Sequence, residues 1–80
     1  MKRILIAEDE VRIAAFVEKG LRANGFTPTT VGDGQAALDH AMSGEFDLVL
    51  LDLGLPVLDG FTVLRRLRSA PGAPEAAPAA

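Results

Sequence analysis

Glu8 and Asp9 follow one apolar run, Ile4-Leu5-Ile6-Ala7, and Asp52 follows another, Leu48-Val49-Leu50-Leu51. A carboxylate at the end of such a run is a charge at the rim of a dry core. Such a charge is costly unless a cation or a reacting group answers it. If the two runs lie side by side as strands, roughly 4.8 Å apart, three acids share one rim and repel one another. A bound divalent cation relieves that repulsion. An all-oxygen donor set suits Mg2+, which takes one or two carboxylates and keeps several waters. A plainer reading makes Asp9 a helix N-cap and Glu8 a solvated surface acid. In that reading Asp52 caps the turn that Gly54, Pro56 and Gly60 mark.

The elements around these acids decide whether they can meet. Lys2 to Ala7 is short and rich in isoleucine and leucine, as a buried strand is. Asp9 suits the N-cap of a helix from Glu10 to about Asn24, with Ile13, Phe16, Val17, Gly20 and Leu21 on one face. Gly25 is the natural left-handed residue after it. Phe26 to Val31 is β-branched and more polar, and Pro28 points to a sheet edge. Asp33 or Gly34 opens a second helix with Ala37, Leu38, Ala41 and Met42 facing inward, and Gly44 closes it. Phe46 to Leu51 reads as a strand buried on both faces. Asp59 then caps a third helix with a stripe of Val63, Leu64 and Leu67, and Arg65, Arg66 and Arg68 suit its negative end. Phe16, Phe26, Phe46 and Phe61 are expected in or near the core. The order βαβαβα predicts an α/β fold with a parallel sheet and right-handed crossovers. A strand order 2-1-3 brings Glu8, Asp9 and Asp52 to the same edge, where open α/β sheets place their ligands.

Eighty residues allow one domain. The absence of cysteine excludes disulfides and thiolate metal sites, and a single histidine, His40, excludes a multi-histidine zinc cage. The net charge of −3 gives no basis for binding nucleic acid or an anionic membrane. Glu8 cuts the first apolar run too early for a signal peptide, and no apolar segment reaches the ~18 residues of a membrane span. A cytoplasmic protein is the expectation. Residues 70–80 are rich in alanine and proline and lack large apolar side chains. They read as a disordered or polyproline-like tail after a domain of residues 1–69.

Three segments together resemble one family. They are Ile4-Leu5-Ile6-Ala7-Glu8-Asp9-Glu10, then Asp33-Gly34-Gln35-Ala36-Ala37-Leu38, then Asp47 through Gly60 with Asp52, Pro56 and Asp59 in place. They look like the receiver domain of bacterial two-component response regulators, closest to the winged-helix class of transcriptional regulators. The resemblance implies a flavodoxin-like (CheY-like) fold. It implies that Asp52 is the phospho-acceptor, a carboxylate nucleophile served by a sensor histidine kinase. It further implies Mg2+ held directly by Asp9 and Asp52, by the Gly54 backbone carbonyl, and by Glu8 through a water. Such a module is an acceptor in a phosphorelay and not an independent enzyme. The family continues through a fourth and a fifth βα unit whose threonine or serine and lysine read the phosphoryl group, and no residue after Ser69 matches them. The sequence therefore reads as truncated after the third helix. Its third strand would be an exposed edge, inviting marginal stability or self-association.

Two other readings remain open on the sequence. One is an inert fragment without signalling output, or a competitor of a longer protein for its kinase. The other is a dinucleotide-binding half-domain, because Gly32, Gly34 and Ala37 fit G-x-G-x-x-A and Asp52 would supply the ribose acid. Against it, that motif belongs in the first βα turn and here follows the second strand.

Overall fold

A computed structural model describes residues 2–78. Met1, Ala79 and Ala80, which the domain and tail boundaries above include, lie outside the described residues. The chain runs β1 (Arg3–Ala7), α1 (Val11–Ala23), β2 (Thr27–Val31), α2 (Gly34–Ala41), β3 (Leu48–Leu51), α3 (Gly60–Ser69) and β4 (Glu75–Pro78). The strands form one parallel sheet in the order β2-β1-β3-β4. The predicted order 2-1-3 is thus present with a fourth strand added at its open side.

Strand alternation divides the apolar residues between the two faces. Leu5, Ala7, Val49 and Leu51 face α2 and α3 and are fully buried with Ala37, Val63 and Leu67. Ile4 and Ile6 point the other way and are buried beneath α1, which lies over β1 and β2. Two helices begin where the sequence places them. Asp33 caps α2 through the Ala36 N–H at 2.7 Å, and Asp59 caps α3 through the Thr62 N–H at 3.0 Å. Gly25 and Gly44 take positive φ values of 84° and 82° after α1 and α2. That conformation lets each helix end in a sharp turn without a Cβ clash.

Four expectations need correction. Residues 75–78 form β4 rather than a disordered tail. Its pairing of Leu48 with Glu75 through Leu51 with Pro78 satisfies the edge of β3. Backbone groups beside a buried strand demand partners whatever side chains the partner carries, and composition does not register that demand. For the same reason β3 is not an exposed edge, and the self-association expected from it loses its premise. Third, α1 starts at Val11 with Glu10 as N-cap and no side-chain cap bond, so Asp9 is not the cap. Fourth, Phe16 and Phe61 are 80% and 62% exposed, and Ile13 and Met42 are about half exposed. α1 lies toward the β2 edge of the sheet, over β1 and β2, and of its apolar stripe only Ala14 is buried while Val17 and Leu21 are half-buried. Phe61 lies off the face of α3 formed by Gly60, Val63, Leu64 and Leu67.

Candidate metal and acceptor site

The carboxyl ends of β1 and β3 are adjacent because Ala7 pairs with Leu51. Both chains leave the sheet at the same level. The Glu8 N–H donates to the Val31 carbonyl at 3.0 Å and the Asp52 N–H to the Ala7 carbonyl at 2.9 Å. The register thus sets Glu8, Asp9 and Asp52 on one rim. One carboxylate oxygen from each lies within 4.8 Å of the others. Glu8 and Asp52 are half-buried and Asp9 is exposed. Glu8 and Asp9 are neighbours in the chain, and the β1–β3 pairing brings Asp52 to them from a distant segment.

Each acid is held by the turn behind it. The Gly54 N–H donates to Asp52 Oδ1 at 3.0 Å, and the Glu10 N–H donates to Glu8 Oε2 at 3.2 Å. The turn after Asp52 is closed by the Gly60 N–H on the Leu53 carbonyl at 3.1 Å. A Cβ on Gly60 would strike the Asp52 carbonyl and the Leu53 backbone, so only glycine lets α3 start this close to the rim.

The electrostatics are those of crowded like charges. Partial burial pushes the Glu8 carboxyl above its ordinary range, and the neighbouring Asp52 carboxylate pushes it further. Asp52 goes the other way: the Gly54 N–H, then its hydrogen bonding with Glu8, hold it below the ordinary range. Burial and like charge thus disfavour the ionised form of Glu8, while hydrogen bonding favours the ionised form of Asp52. An ionised, amide-oriented carboxylate is a competent nucleophile and a competent cation ligand. Three oxygen donors of this spacing fit a hard divalent cation, and softer metals would want nitrogen or sulfur.

The glycine turn Gly32-Asp33-Gly34 is committed elsewhere. The Gly34 N–H donates to the Pro56 carbonyl at 3.1 Å, and the Asp33 carboxylate takes the Ala36 N–H. A phosphate at this helix start would have to displace both bonds. The turn also follows β2 at the sheet edge, and Asp52 is grouped with Glu8 and Asp9. The geometry gives the dinucleotide reading no support. His40 is exposed on α2, with Nδ1 2.8 Å from the Ala36 carbonyl.

The chain is similar to known proteins. Residues 4–77 match the response regulator receiver domain family. The chain is 47% identical over 72 residues to the transcriptional activator protein IrlR of Burkholderia pseudomallei, covering 90% of this chain and 31% of that protein. It therefore spans about a third of the length of the curated relatives it matches. Among solved structures it resembles the receiver domain of sensor histidine kinase PA1611 from Pseudomonas aeruginosa PAO1, with a TM-score of 0.83 and 35% identity. That match covers 89% of this chain and 58% of the other, and the PA1611 domain has a magnesium ion coordinated in its active site cleft. A complex of histidine kinase ThkA with response regulator protein TrrA, the latter from Thermotoga maritima, matches with a TM-score of 0.88 and 32% identity. It covers 98% of this chain and 67% of the other.

Proposed function

The chain belongs to the response regulator receiver domain family, and from that premise we propose that it is a phospho-acceptor of a two-component phosphorelay, with Asp52 as the accepting residue. One observation carries the reading: the Glu8, Asp9 and Asp52 oxygens converge within 4.8 Å at the carboxyl rim of the sheet. In the proposed step an Asp52 carboxylate oxygen attacks the phosphorus of a phosphohistidine. The new P–O bond forms as the P–N bond to the imidazole breaks, leaving an acyl phosphate on Asp52. The Gly54 N–H on Oδ1 fixes the plane of the attacking carboxylate before the donor arrives. The depressed pKa of Asp52 keeps it an anion at neutral pH.

The same residues would hold Mg2+: Asp9 and Asp52 directly, Gly54 by its backbone carbonyl, and Glu8 through a water. When bound, the ion supplies positive charge that offsets the negative phosphoryl oxygens. The proposed donor is a sensor histidine kinase, and the ThkA–TrrA complex among the structural neighbours supports it. The module acts as an acceptor and not as an independent enzyme. No helix among the described residues is long and apolar enough to cross a membrane, and we assign the chain to the cytoplasm with its kinase.

Intact-mass analysis after incubation with Mg2+ and phosphoramidate tests the proposal. One added phosphoryl group is expected, abolished by EDTA and by Asp52→Asn. An unmodified mass, or an adduct that survives Asp52→Asn, refutes it.

A further inference from the structure

The face of the sheet beneath α1 is only partly covered. α1 lies over β1 and β2, whereas Leu50 of β3, paired with Ile6 and on the same face, stays half-buried. A cavity of about 300 Å3 opens beside α1 at this level. Its walls are apolar: Ile6 from β1, Ile13 and Val17 from α1, Leu50 from β3 and Pro78 from β4. The half-buried Glu8 and Asp52 complete the lining at the carboxyl rim.

The two parts of this lining call for different things. A pair of carboxylates beside an apolar wall calls for positive charge. The wall calls for hydrocarbon, since Ile13 is 51% exposed and Val17 and Leu50 are covered only in part. A divalent ion answers the first demand and not the second, because it keeps several waters and gains nothing from isoleucine and valine. Among the described residues the ion pairs join Arg3 to Glu45 and Arg22 to Glu18, and none involves Glu8 or Asp52.

A protonated primary amine with a compact apolar body answers both. An oxygen of Glu8 and one of Asp52 lie within 4.8 Å of each other. A single nitrogen between them can donate to both at the ~2.8 Å of a charge-assisted hydrogen bond. An ammonium is a compact charge with three donors, so it fits there without the planar fork of a guanidinium. Its hydrocarbon then lies along Ile13, Val17 and Leu50. The carboxylates repel an anion, and a neutral apolar molecule would strip water from them without compensation.

We propose that this cavity binds a small organic amine, with the ammonium on Glu8 and Asp52 and the apolar body against Ile13, Val17 and Leu50. The same two carboxylates are assigned to Mg2+ above, so amine and metal exclude one another. The amine site stands on the cavity and its charges, and it does not require Asp52 to accept a phosphoryl group.

The test titrates the full chain with hexylammonium chloride, at constant ionic strength and without Mg2+. NMR follows the methyl groups of Ile6, Ile13, Val17 and Leu50, which should shift saturably. Hexanol, which lacks the charge, and ammonium chloride, which lacks the body, should each bind about tenfold more weakly or worse. A fully buried methylene is worth about fourfold in affinity, and about twofold where only half is covered. Propylammonium, three methylenes shorter, should therefore bind about eightfold more weakly. Ile13→Ser separates amine from metal. It should weaken hexylammonium about threefold and leave the Mg2+ affinity, read by calorimetry, within about twofold. In the wild type, bound hexylammonium should raise the apparent Kd for Mg2+.

Absence of saturable shifts overturns the inference, and so does hexanol or propylammonium that binds as tightly as hexylammonium. These comparisons use the wild type and stand whether or not Ile13→Ser folds. A Mg2+ affinity unmoved by bound amine also overturns it, by placing the nitrogen away from Glu8 and Asp52. None of these failures touches the acceptor role, which phosphoryl labelling decides separately.

Discussion

Asp52→Asn should make the cation-free domain more stable. Asp52 has two acidic neighbours, with oxygens no more than 4.8 Å apart. Two unit charges at that distance repel by about 0.9 kcal/mol at the dielectric of water and more where solvent is partly excluded. The site is open to water and the charge of a carboxylate is spread, so a discounted value of about 0.5–1 kcal/mol per pair is appropriate. Removing both pairs gives about 1–2 kcal/mol, and the Gly54 N–H bond, which favours a charged acceptor and is weaker to the asparagine oxygen, takes part of it back, leaving about 1 kcal/mol. For a domain of this size that is about 4–8 °C in Tm. Circular dichroism is the assay, since the chain has neither tryptophan nor tyrosine. The gain should be largest in about 10 mM salt and shrink in about 1 M salt, where the Debye length falls to about 3 Å. The pH dependence has a definite sign. Glu8 has a raised pKa in the fold, so the folded state binds its proton more readily than the unfolded chain does. Wild-type stability from this group is fully present below the ordinary value of 4.5 and is lost as pH rises through the raised value. In Asp52→Asn that slope should flatten, because part of the push on Glu8 comes from Asp52. An unchanged or lowered Tm for Asp52→Asn at low salt and neutral pH would show that the three acids do not crowd one another.

Further outcomes follow from the same structure. Mg2+ at 100 times its Kd should stabilise the wild type by about 2.7 kcal/mol, and calorimetry should show the shift reversed by EDTA and lost in Asp9→Asn. Leu51→Ala removes a fully buried side chain and should cost about 2–5 kcal/mol, enough to leave so small a domain largely unfolded by circular dichroism. Asp59→Ala should lower stability at neutral pH but not in acid. The Thr62 N–H and hydroxyl hold the Asp59 carboxyl below its ordinary range, so its contribution is present above that range and lost as pH falls through the depressed value. Removing residues 74–80 should uncover the β3 edge and produce concentration-dependent association by sedimentation, whereas the full chain should not show it.

The sequence made legible whatever depends on local spacing or on strand ends. Asp33 and Asp59 announce their caps, Gly25 and Gly44 their helix ends, and Val63, Leu64 and Leu67 their buried stripe. The meeting of Glu8, Asp9 and Asp52 was legible too, because a parallel βαβ unit has few ways to order its strands. The structure departs from the sequence reading where backbone decides. Glu75–Pro78 carries almost no hydrophobic signal, and it is a strand because β3 has amides to satisfy. Phe16 and Phe61 read as core because they are aromatic, yet Phe16 sits on a helix that covers only β1 and β2, and Phe61 lies off the buried face of α3. Val57 takes a φ of +68° with no local sign of it, since a valine would ordinarily argue against a positive value.

The fourth strand is attached to the body unequally. Its backbone is zipped along β3, yet the one side chain it packs against the core is that of Ala76, which is half-buried. Detaching it uncovers little oil and breaks one ladder. The sheet should therefore breathe from that side, with β4 exchanging its amide hydrogens well before β1 does. Each such opening momentarily bares β3, the strand that leads into Asp52, so the chain's least hydrophobic element and its proposed acceptor share one edge of the sheet.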